Sequence, residues 1–371
     1  MKKILVITPH TPSLVWFRLD MMNAFQNRGY EVVAVGEEDE RIWQKRFAEY
    51  HIRYCKIPIE RNGLNLFRDI RTLRAMEALL KDEQPEKVFL YQAKAVVYGS
   101  IASSRVKGIE VYNLISGLGS IFRGTGLKKS VLRFLMKIQY RYALRKSMVI
   151  FHNHDDMQQF VDWRIVKSSQ CDVVHGSGVN LEKFEYCPIP ENEVIFLMVS
   201  RLIRDKGIME YLNACHIVKK KYPEVRCLLV GAYDTNPSAI QPEEISKYFE
   251  SDVEYVGQQK DVVPFLQMCT TFVLPSYHEG TPKSVLEAMA VGRPIITTMA
   301  PGCRETVEDG RNGYLVPTKD ADMLAKKMIY LIENPDIRRK MSVESRKIVQ
   351  DKYDVNKVNQ EILKIMKMNE E

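Results

Sequence analysis

The chain has 371 residues, of which 45% are hydrophobic, and its length favours two domains of about 150–200 residues each. An ordinary composition with a net charge of +7 excludes a largely disordered chain. The seven cysteines are dispersed without a Cys-x-x-Cys pair, which argues against a disulfide framework or a structural zinc site.

Neither a signal peptide nor a membrane span is expected from the apolar runs. The first run, Ile4–Ile7, is too short for the hydrophobic region of a signal peptide, and no run approaches the ~20 residues of a membrane-spanning helix. We therefore expect a cytoplasmic protein. Its charge is uneven, because residues 1–185 carry a net +9 and the remainder −2. A localised surplus of this kind indicates an acidic partner for the first half.

Short apolar or β-branched runs alternate with longer segments of helical periodicity. In the first half the runs predict six strands: Lys3–Thr8, Glu31–Gly36, Ile52–Ile57, Lys87–Tyr91, Ile109–Ile115 and Met148–His152. In the second half they predict six more: Val194–Ser200, Val225–Gly231, Val253–Gly257, Thr271–Pro275, Pro294–Thr298 and Tyr314–Val316. This repeated alternation predicts an α/β protein with two doubly wound, Rossmann-like parallel sheets.

The domain boundary is predicted at the Pro-containing stretch Cys187–Asn192. The first domain then covers residues 1–187 and the second covers residues 188–350. Two such domains facing each other would form a central cleft at the carboxyl ends of their strands. The last segment, residues 351–371, is expected to return to the first domain as a helix.

The most informative segment runs from Pro275 to Ala290. A strand should end at Pro275, and a helix should follow with Thr281 as N-cap and Pro282 at the first helical position. The first-turn amides of a helix have no partner within it, so they form an anion site suited to a pyrophosphate. Glu279 and Glu287 can face the same ligand. Taken alone, this spacing is a weak signal and favours an ordinary helix start with two solvated glutamates.

Further motifs follow this segment. They are Gly292-Arg293-Pro294-Ile295-Ile296, Pro301-Gly302-Cys303-Arg304-Glu305 and Gly310–Pro317. With them, residues 194–330 resemble the retaining glycosyltransferases of family 4. The resemblance implies a GT-B fold and transfer from a nucleotide-sugar with retention of anomeric configuration. It also implies that no metal or other cofactor is needed.

The resemblance assigns roles to individual residues. Glu279 should contact the transferred sugar, and Glu287 should accept hydrogen bonds from the ribose hydroxyls. Arg201 and Lys206 should bind the diphosphate and neutralise charge as the sugar–phosphate bond breaks. Backbone groups near Gly257 are expected to meet the base, because that strand end faces the same cleft. The predicted catalytic residues are thus Arg201, Lys206 and Glu279, and the predicted donor-binding residues are Gly257, Gly280, Thr281, Pro282, Lys283, Ser284 and Glu287.

The first half departs from the family pattern. The loop His10–Arg18 lacks the glycine pair that many members have after the first strand, which disfavours close backbone approach to a phosphate there. The region Asn113–Phe122 lacks the histidine found in many members. Its Ser116–Ser120 run resembles the subgroup that extends lipid-linked saccharides in capsule, O-antigen and N-glycan assembly, including CapM-like and PglA-like enzymes.

A general base is not required by a retaining reaction in which the departing phosphate takes the acceptor's proton. His10, His152 and His154 are nevertheless candidates for a base. A lone histidine in a loop or at a strand end is also a common structural residue.

Asp320-Ala321-Asp322 fits the Asp-x-Asp pattern that binds manganese in other transferases. It precedes a predicted helix, where an acidic residue serves as a cap. We predict a cap at this position and at Asp155-Asp156, and no metal site.

Residues 111–154 contain eight lysines and arginines and no acidic residue. Five cations recur at every fourth position with apolar residues beside them: Lys129, Arg133, Lys137, Arg141 and Arg145. A basic amphipathic helix indicates contact with an anionic membrane surface, on the side that takes the acceptor. The alternative is an ordinary solvated helix face. No nucleic-acid recognition motif accompanies the charge.

These observations predict a transferase at the inner face of the cell membrane. It would move a hexose or N-acetylhexosamine, with N-acetylgalactosamine one candidate, from a UDP-sugar to an undecaprenyl-diphosphate-linked saccharide. A GT-B glucosyl- or mannosyltransferase with a soluble acceptor is an alternative. A UDP-sugar epimerase and a non-catalytic sugar-nucleotide-binding protein are the others.

Overall fold

The computed structural model describes residues 2–368, except 62, 64, 119–121, 123–125 and 235–237 and the side chains of 127–129. It divides into two units, one comprising Met1–Ser177 with Val358–Glu371 and the other comprising Gly178–Lys357. The division lies ahead of the predicted Pro-containing boundary. Residues 178–187, which the sequence assigns to the first domain, therefore belong to the second unit.

The first unit is built on a seven-stranded parallel sheet in the order β3-β2-β1-β4-β5-β6-β7. Its strands are β1 (Lys2–Ile7), β2 (Tyr30–Gly36), β3 (Arg53–Lys56), β4 (Lys87–Tyr91), β5 (Glu110–Ile115), β6 (Met148–Phe151) and β7 (Cys171–Val173). Six of them match the predicted runs. β7 escapes prediction because its three residues, Cys-Asp-Val, are only partly buried and form no apolar run.

Helices cover both faces of this sheet. They are Pro12–Gln26, Glu40–Ala48, Leu66–Glu83, Ser100–Ser103 after the π-helical turn Ala95–Gly99, Leu127–Leu144 and His154–Asp162. Ile4 and Val6 belong to one hydrophobic cluster and Leu5 and Ile7 to another, as the alternation of a strand requires. The helix Val355–Ile365 contributes Val358 and its neighbours to the Ile4 cluster.

The second unit has a six-stranded parallel sheet in the order β10-β9-β8-β11-β12-β13. All six strands match predicted runs: β8 (Ile195–Val199), β9 (Arg226–Val230), β10 (Glu254–Gly257), β11 (Thr271–Leu274), β12 (Ile295–Thr298) and β13 (Gly313–Val316). In both sheets the strand order reverses between the first and fourth strands. This is the switch point of a Rossmann sheet, where ligands bind beyond the carboxyl ends.

The helices of the second unit surround one hydrophobic core. They are Ile208–Lys221, Pro242–Phe249, Val263–Met268, Lys283–Ala290, Ala321–Glu333 and Pro335–Lys352. The fully buried Arg293 donates from its guanidinium to the carbonyl oxygens of Leu266 (2.7 Å) and Gln267 (3.0 Å), so this motif arginine has a structural role. Within the described part of the chain, no helix is both long and apolar enough to cross a bilayer.

Candidate functional site

The predicted donor residues gather at the carboxyl edge of the second sheet. Arg201 and Lys206 follow β8, Glu279 follows β11, and Gly257 ends β10. The helix Lys283–Ala290 carries Ser284 and Glu287. Since β8 and β11 flank the switch point, the loops after them are placed where an open α/β sheet binds a ligand.

The loops after β8 and β11 are held together through their backbones. The Asp205 carbonyl oxygen accepts from the Tyr277 amide (2.9 Å) and from Ser276 Oγ (3.1 Å). Gly207 has φ +74°, and a Cβ there would collide with the Pro275 carbonyl oxygen. Only glycine permits this approach, so Gly207 fixes the spacing of the two loops.

Lys206 and Glu279, both predicted catalytic residues, form an ion pair between these loops. A third segment supports the glutamate, because the Glu279 amide donates to the Pro301 carbonyl oxygen (3.0 Å). Gly302 has φ +79°, and a Cβ there would collide with the carbonyl oxygens of Glu279 and Gly280. The Pro301-Gly302 turn therefore lies directly against the loop that carries Glu279.

Arg201 forms an ion pair with Asp234, at 2.6 Å between Nη1 and Oδ2. Sequence reasoning missed Asp234, which belongs to no motif. Its one signal is its position shortly after β9, at the carboxyl edge of the sheet. Each of the two predicted diphosphate-binding cations thus has a carboxylate partner in the free protein. A diphosphate offers several charged acceptor oxygens that can compete for both cations.

The predicted helix start is wrong by one residue. Thr281 is not the N-cap, because the helix begins at Lys283 with Pro282 as N-cap and without a side-chain cap. Pro282 has an extended backbone (φ −72°, ψ 108°), and its carbonyl oxygen accepts from the Val285 amide (3.0 Å). The ring fixes φ but leaves ψ free, so proline serves here as the cap rather than as the first helical residue.

Glu287 lies one turn into this helix, on the fourth residue after Lys283. Burial of its carboxyl group raises its pKa to about 7, and the nearby Lys283 and Lys183 oppose the shift. The side chain as a whole keeps a partly exposed surface. Glu287 is therefore a carboxyl group with a poorly solvated charge, a state that ligand hydroxyls can relieve by donating to it.

Gly257 ends β10 with φ +75°, and its carbonyl oxygen accepts from the Gly231 amide at 2.9 Å. The Gly231 carbonyl oxygen in turn accepts from the Tyr255 hydroxyl at 2.9 Å. The Tyr233 ring contacts the Tyr255 ring edge-on, with centroids 5.6 Å apart. The predicted base-binding position is thus bordered by two tyrosines that the sequence reading did not single out.

The three candidate histidines have different surroundings. His10 follows β1, and its Nδ1 lies 3.4 Å from Glu38 Oε1. His152 directly follows β6, and burial lowers its pKa well below the ordinary value, with nearby Arg18 adding to the shift. His154 is exposed at the start of the helix His154–Asp162. The carboxylate beside His10 is the kind of partner that a general base uses.

The cations predicted to form one basic face of the helix Leu127–Leu144 do not lie on a single face. Arg141 donates to the carbonyl oxygens of Trp163 (2.9 Å) and Arg164 (2.8 Å), and the Lys137 Nζ lies 3.9 Å from the Trp163 ring centroid. Arg133 is half-buried, Arg145 is exposed over Tyr142, and the Lys129 side chain lies outside the described residues. Four-residue steps advance 40° per step around the helix, so the stripe runs from the packed side to the exposed side.

Asp320 caps the helix Ala321–Glu333 as predicted, accepting from the Met323 amide at 2.8 Å. At Asp155-Asp156 the prediction is wrong in detail. Asn153 is the cap and accepts from the Asp156 amide (2.8 Å), while both aspartates lie in the first turn. Among the residues described, no group of three or more His, Cys, Asp or Glu side chains is placed to hold a metal ion.

Both halves of the chain match known protein families. Residues 180–348 match the family described as glycosyl transferases group 1, and residues 3–153 match glycosyl transferase 4-like. The chain is 27% identical to the N,N'-diacetylbacillosaminyl-diphospho-undecaprenol alpha-1,3-N-acetylgalactosaminyltransferase of Campylobacter jejuni, over 95% of each chain. It is 26% identical to the capsular polysaccharide biosynthesis glycosyltransferase CapM of Staphylococcus aureus, over 80% of each.

The fold is similar to that of solved structures. HepE of Anabaena in complex with UDP-glucose superposes with a TM-score of 0.80 at 18% identity, over the full length of both chains. Similarity at this level of identity concerns the fold.

Proposed function

Because the chain belongs to the glycosyltransferases, with a 4-like domain followed by a group 1 domain in a GT-B fold, we propose that it extends a lipid-linked saccharide. It transfers a hexose or N-acetylhexosamine from a UDP-sugar to an undecaprenyl-diphosphate-linked acceptor, with retention of configuration. The observation that carries this proposal is the Lys206–Glu279 pair at the switch point of the group 1 sheet. The Campylobacter relative, similar over 95% of both chains, supports the lipid-linked acceptor and makes N-acetylgalactosamine one candidate sugar.

The donor binds at the carboxyl edge of the second sheet. Its diphosphate lies against the start of the helix Lys283–Ala290. Arg201 and Lys206 form ion pairs with this diphosphate in place of their carboxylate partners Asp234 and Glu279. Glu287 accepts the ribose hydroxyls, and Glu279 contacts the transferred sugar. Backbone groups near Gly257 meet the base. HepE, with the same fold, binds UDP-glucose, which supports a UDP-sugar here.

Transfer proceeds on one face of the sugar. The bond between the anomeric carbon and the phosphate oxygen breaks, and the acceptor hydroxyl oxygen forms its new bond on that same face. The acceptor's proton passes to the departing diphosphate, whose growing charge Arg201 and Lys206 stabilise. His10, paired with Glu38, is a second route for the proton.

The acceptor is taken by the first unit, which carries the basic surplus of the sequence. A diphosphate-linked polyprenyl chain stays in the bilayer, so the enzyme works as a peripheral protein on the inner face of the cell membrane. The anionic lipid surface is then a further partner, in keeping with the basic helix Leu127–Leu144.

A screen of UDP-sugars for thermal stabilisation identifies the donor, and turnover with an undecaprenyl-diphosphate-linked saccharide tests the reaction. We expect one UDP-sugar to raise the melting temperature and the product to keep the anomeric configuration of the donor. An inverted product, or transfer only to water-soluble sugars, would contradict the proposal.

Transfer should not need a metal, because arginine and lysine supply the charge at the leaving group and Asp320 is engaged as a helix cap. Activity in EDTA should equal activity with added manganese. Activity that is lost in EDTA and restored by manganese would assign the Asp320–Asp322 motif to catalysis instead.

A further inference from the structure

The outer face of the helix Leu127–Leu144 is apolar. Tyr140, Ala143 and Leu144 pack into the core of the first unit, and large hydrophobic side chains point the other way. Phe134 is 62% exposed and Leu135 51%, and the same face carries Val131, Ile138 and Tyr142. These positions repeat at helical spacing, so they form one continuous stripe. Water-facing aromatic and aliphatic residues in such a row mark an interaction surface rather than scattered surface residues.

A second helix on the same face begins with exposed hydrophobic residues. Leu66 is 72% exposed and Phe67 86%, and Ile70 follows one turn later. The buried side of that helix, Leu66–Glu83, belongs to the same core cluster as the buried side of Leu127–Leu144. Both helices also pack against the segment Ala95–Ser103. The two apolar surfaces therefore lie on one face of the first sheet, and we call them together the lipid-facing patch.

The charges beside the patch are positive. Arg71 and Arg74 are exposed and have no ion-pair partner among the residues that the structure describes. Arg145 borders the other helix, and no acidic residue occurs between residues 111 and 154. A second copy of this chain would bring the same cations to the patch, so self-association is disfavoured. Anionic lipid headgroups above an apolar interior complement both the charge and the hydrophobicity.

We propose that the lipid-facing patch inserts shallowly into an anionic bilayer and holds the first unit at the membrane. Phe67, Phe134 and Ile138 enter the acyl boundary, while Arg71, Arg74 and Arg145 meet the headgroups. Two separate helices fix the tilt of the domain on the surface, which one helix alone leaves free. The purpose of this docking rests on the proposed lipid-linked acceptor, but the docking itself is measured without donor or acceptor.

Co-sedimentation with vesicles containing about 30% phosphatidylglycerol tests the patch. Phe67→Ser and the double variant Phe134→Ser/Ile138→Ser should each weaken partitioning about tenfold or more, since each removes at least one inserted side chain. Arg71→Gln/Arg74→Gln should weaken it about tenfold at low salt and little at high salt, where headgroup attraction is screened. Ile42→Ser is the matched control, because Ile42 is 67% exposed on the helix Glu40–Ala48, which covers the opposite face.

Equal binding by the wild type and both apolar variants would overturn the proposal, as would equal losses in the Ile42→Ser control. Light scattering, which measures the oligomeric state, tests whether a second copy of this chain covers the patch instead. A dimer that the Phe134→Ser/Ile138→Ser variant dissociates, with unchanged vesicle binding, would make the patch a self-association surface. If vesicle binding follows the proposal while no UDP-sugar is turned over, docking stands and the proposed function fails. If transfer to the lipid-linked acceptor persists without patch-dependent binding, the reverse holds.

Discussion

At the scale of single residues, two ion pairs organise the proposed donor site. Lys206 with Glu279 and Arg201 with Asp234 keep both cations in place before a ligand arrives. In each pair the carboxylate is the more buried partner, so the cation is the member accessible to a diphosphate. In the proposed site, donor binding would exchange one anionic partner for another, which limits the cost of desolvating a lone cation.

Lys206→Ala should lower kcat by ~10²–10³, because it removes a fixed positive charge from the leaving group. Arg204→Ala is the matched control. Arg204 lies in the same loop, pairs with Glu244 on the helix Pro242–Phe249 and is exposed, so its loss should leave kcat unchanged. Steady-state kinetics measures kcat for both variants, and circular dichroism checks that both are folded. Wild-type turnover by the Lys206→Ala variant would remove Lys206 from the site.

Glu287→Gln should stabilise the free protein and weaken donor binding. The pKa of Glu287 in the folded state, about 7, lies above the ordinary value of 4.5, so the folded state retains its proton longer than the unfolded chain. The free energy of unfolding therefore falls as the pH rises from about 4.5 to about 7. A glutamine at this position does not titrate, so the variant does not lose stability as the pH rises. Its free energy of unfolding should therefore exceed that of the wild type by about 1–3 kcal/mol at pH 8 and equal it near pH 4.

The same carboxylate should bind the ribose hydroxyls only when it is ionised. Wild-type donor affinity should rise with pH through about 7, whereas the glutamine variant should bind ~10–100-fold more weakly without that dependence. Denaturant titrations and calorimetry at several pH values measure both effects. A variant that gains no stability at pH 8 would show that Glu287 is well solvated.

At the scale of elements, the proposed donor site is assembled from three loops. The loops after β8 and β11 share the Asp205 carbonyl, and the Pro301-Gly302 turn after β12 supports Glu279 from the other side. Gly207 and Gly302 lie where the backbones of two loops are in contact. The position of Glu279 therefore depends on the absence of a side chain at Gly302, which belongs to a different loop.

Gly302→Ala should lower kcat by about 10²-fold, because displacing a catalytic group by about 1 Å has an effect of that size. The new Cβ would push against the Glu279 and Gly280 carbonyl oxygens. Gly310→Ala is the control, since its φ of +80° imposes similar backbone strain but its Cβ would point into open space. Gly310→Ala should lose about 1–2 kcal/mol of stability through backbone strain alone, Gly302→Ala should lose more because its Cβ also meets backbone atoms, and only Gly302→Ala should lose activity. Equal kinetics for the two would disprove the steric account.

At the scale of the whole molecule, the chain returns to its first unit at the end. The helix Pro335–Lys352 belongs to the second unit, and the segment after it buries Val358 and Ile362 of the last helix, and Met366 just beyond that helix, in the core of the first. The Tyr112 hydroxyl on β5 also donates to the Met366 carbonyl oxygen at 3.2 Å. The last helix thus stabilises strands that lie more than 200 residues earlier in the sequence.

Ile362→Ala should lower the free energy of unfolding of the first unit by ~2–5 kcal/mol, as expected for a fully buried isoleucine. Donor binding by the second unit should remain. Gln360→Ala, on the exposed side of the same helix, should change neither. Hydrogen exchange resolves the two sheets, and faster exchange in β8 and β11 rather than in β1 and β4 would contradict the assignment.

The amino-acid sequence determined the strands, and it predicted the chemistry of the proposed donor loops. Parallel strands buried on both faces are continuous apolar runs, which is why twelve of the strands could be read directly and only the short, half-exposed β7 could not. Local rules also sufficed for Asp320, because a helix cap depends on three or four neighbouring residues. The order of motifs around Lys206 and Glu279 indicated a nucleotide-sugar site before any geometry was known.

The tertiary structure alone decided which distant residues meet. Asp234 forms an ion pair with Arg201, 33 positions away in the sequence. A glycine is required at position 302 by the carbonyl oxygen of Glu279, 23 residues earlier. No local sequence pattern indicates either contact. The tertiary structure also decided which side of the helix Leu127–Leu144 faces the core and which side is exposed. Charge spacing favoured a basic outer face, but Tyr140 and Leu144 pack inward and turn Phe134 and Ile138 to the outside. Burial of apolar area against a particular core decides which face of a helix is exposed, and that core is made of residues from the whole domain.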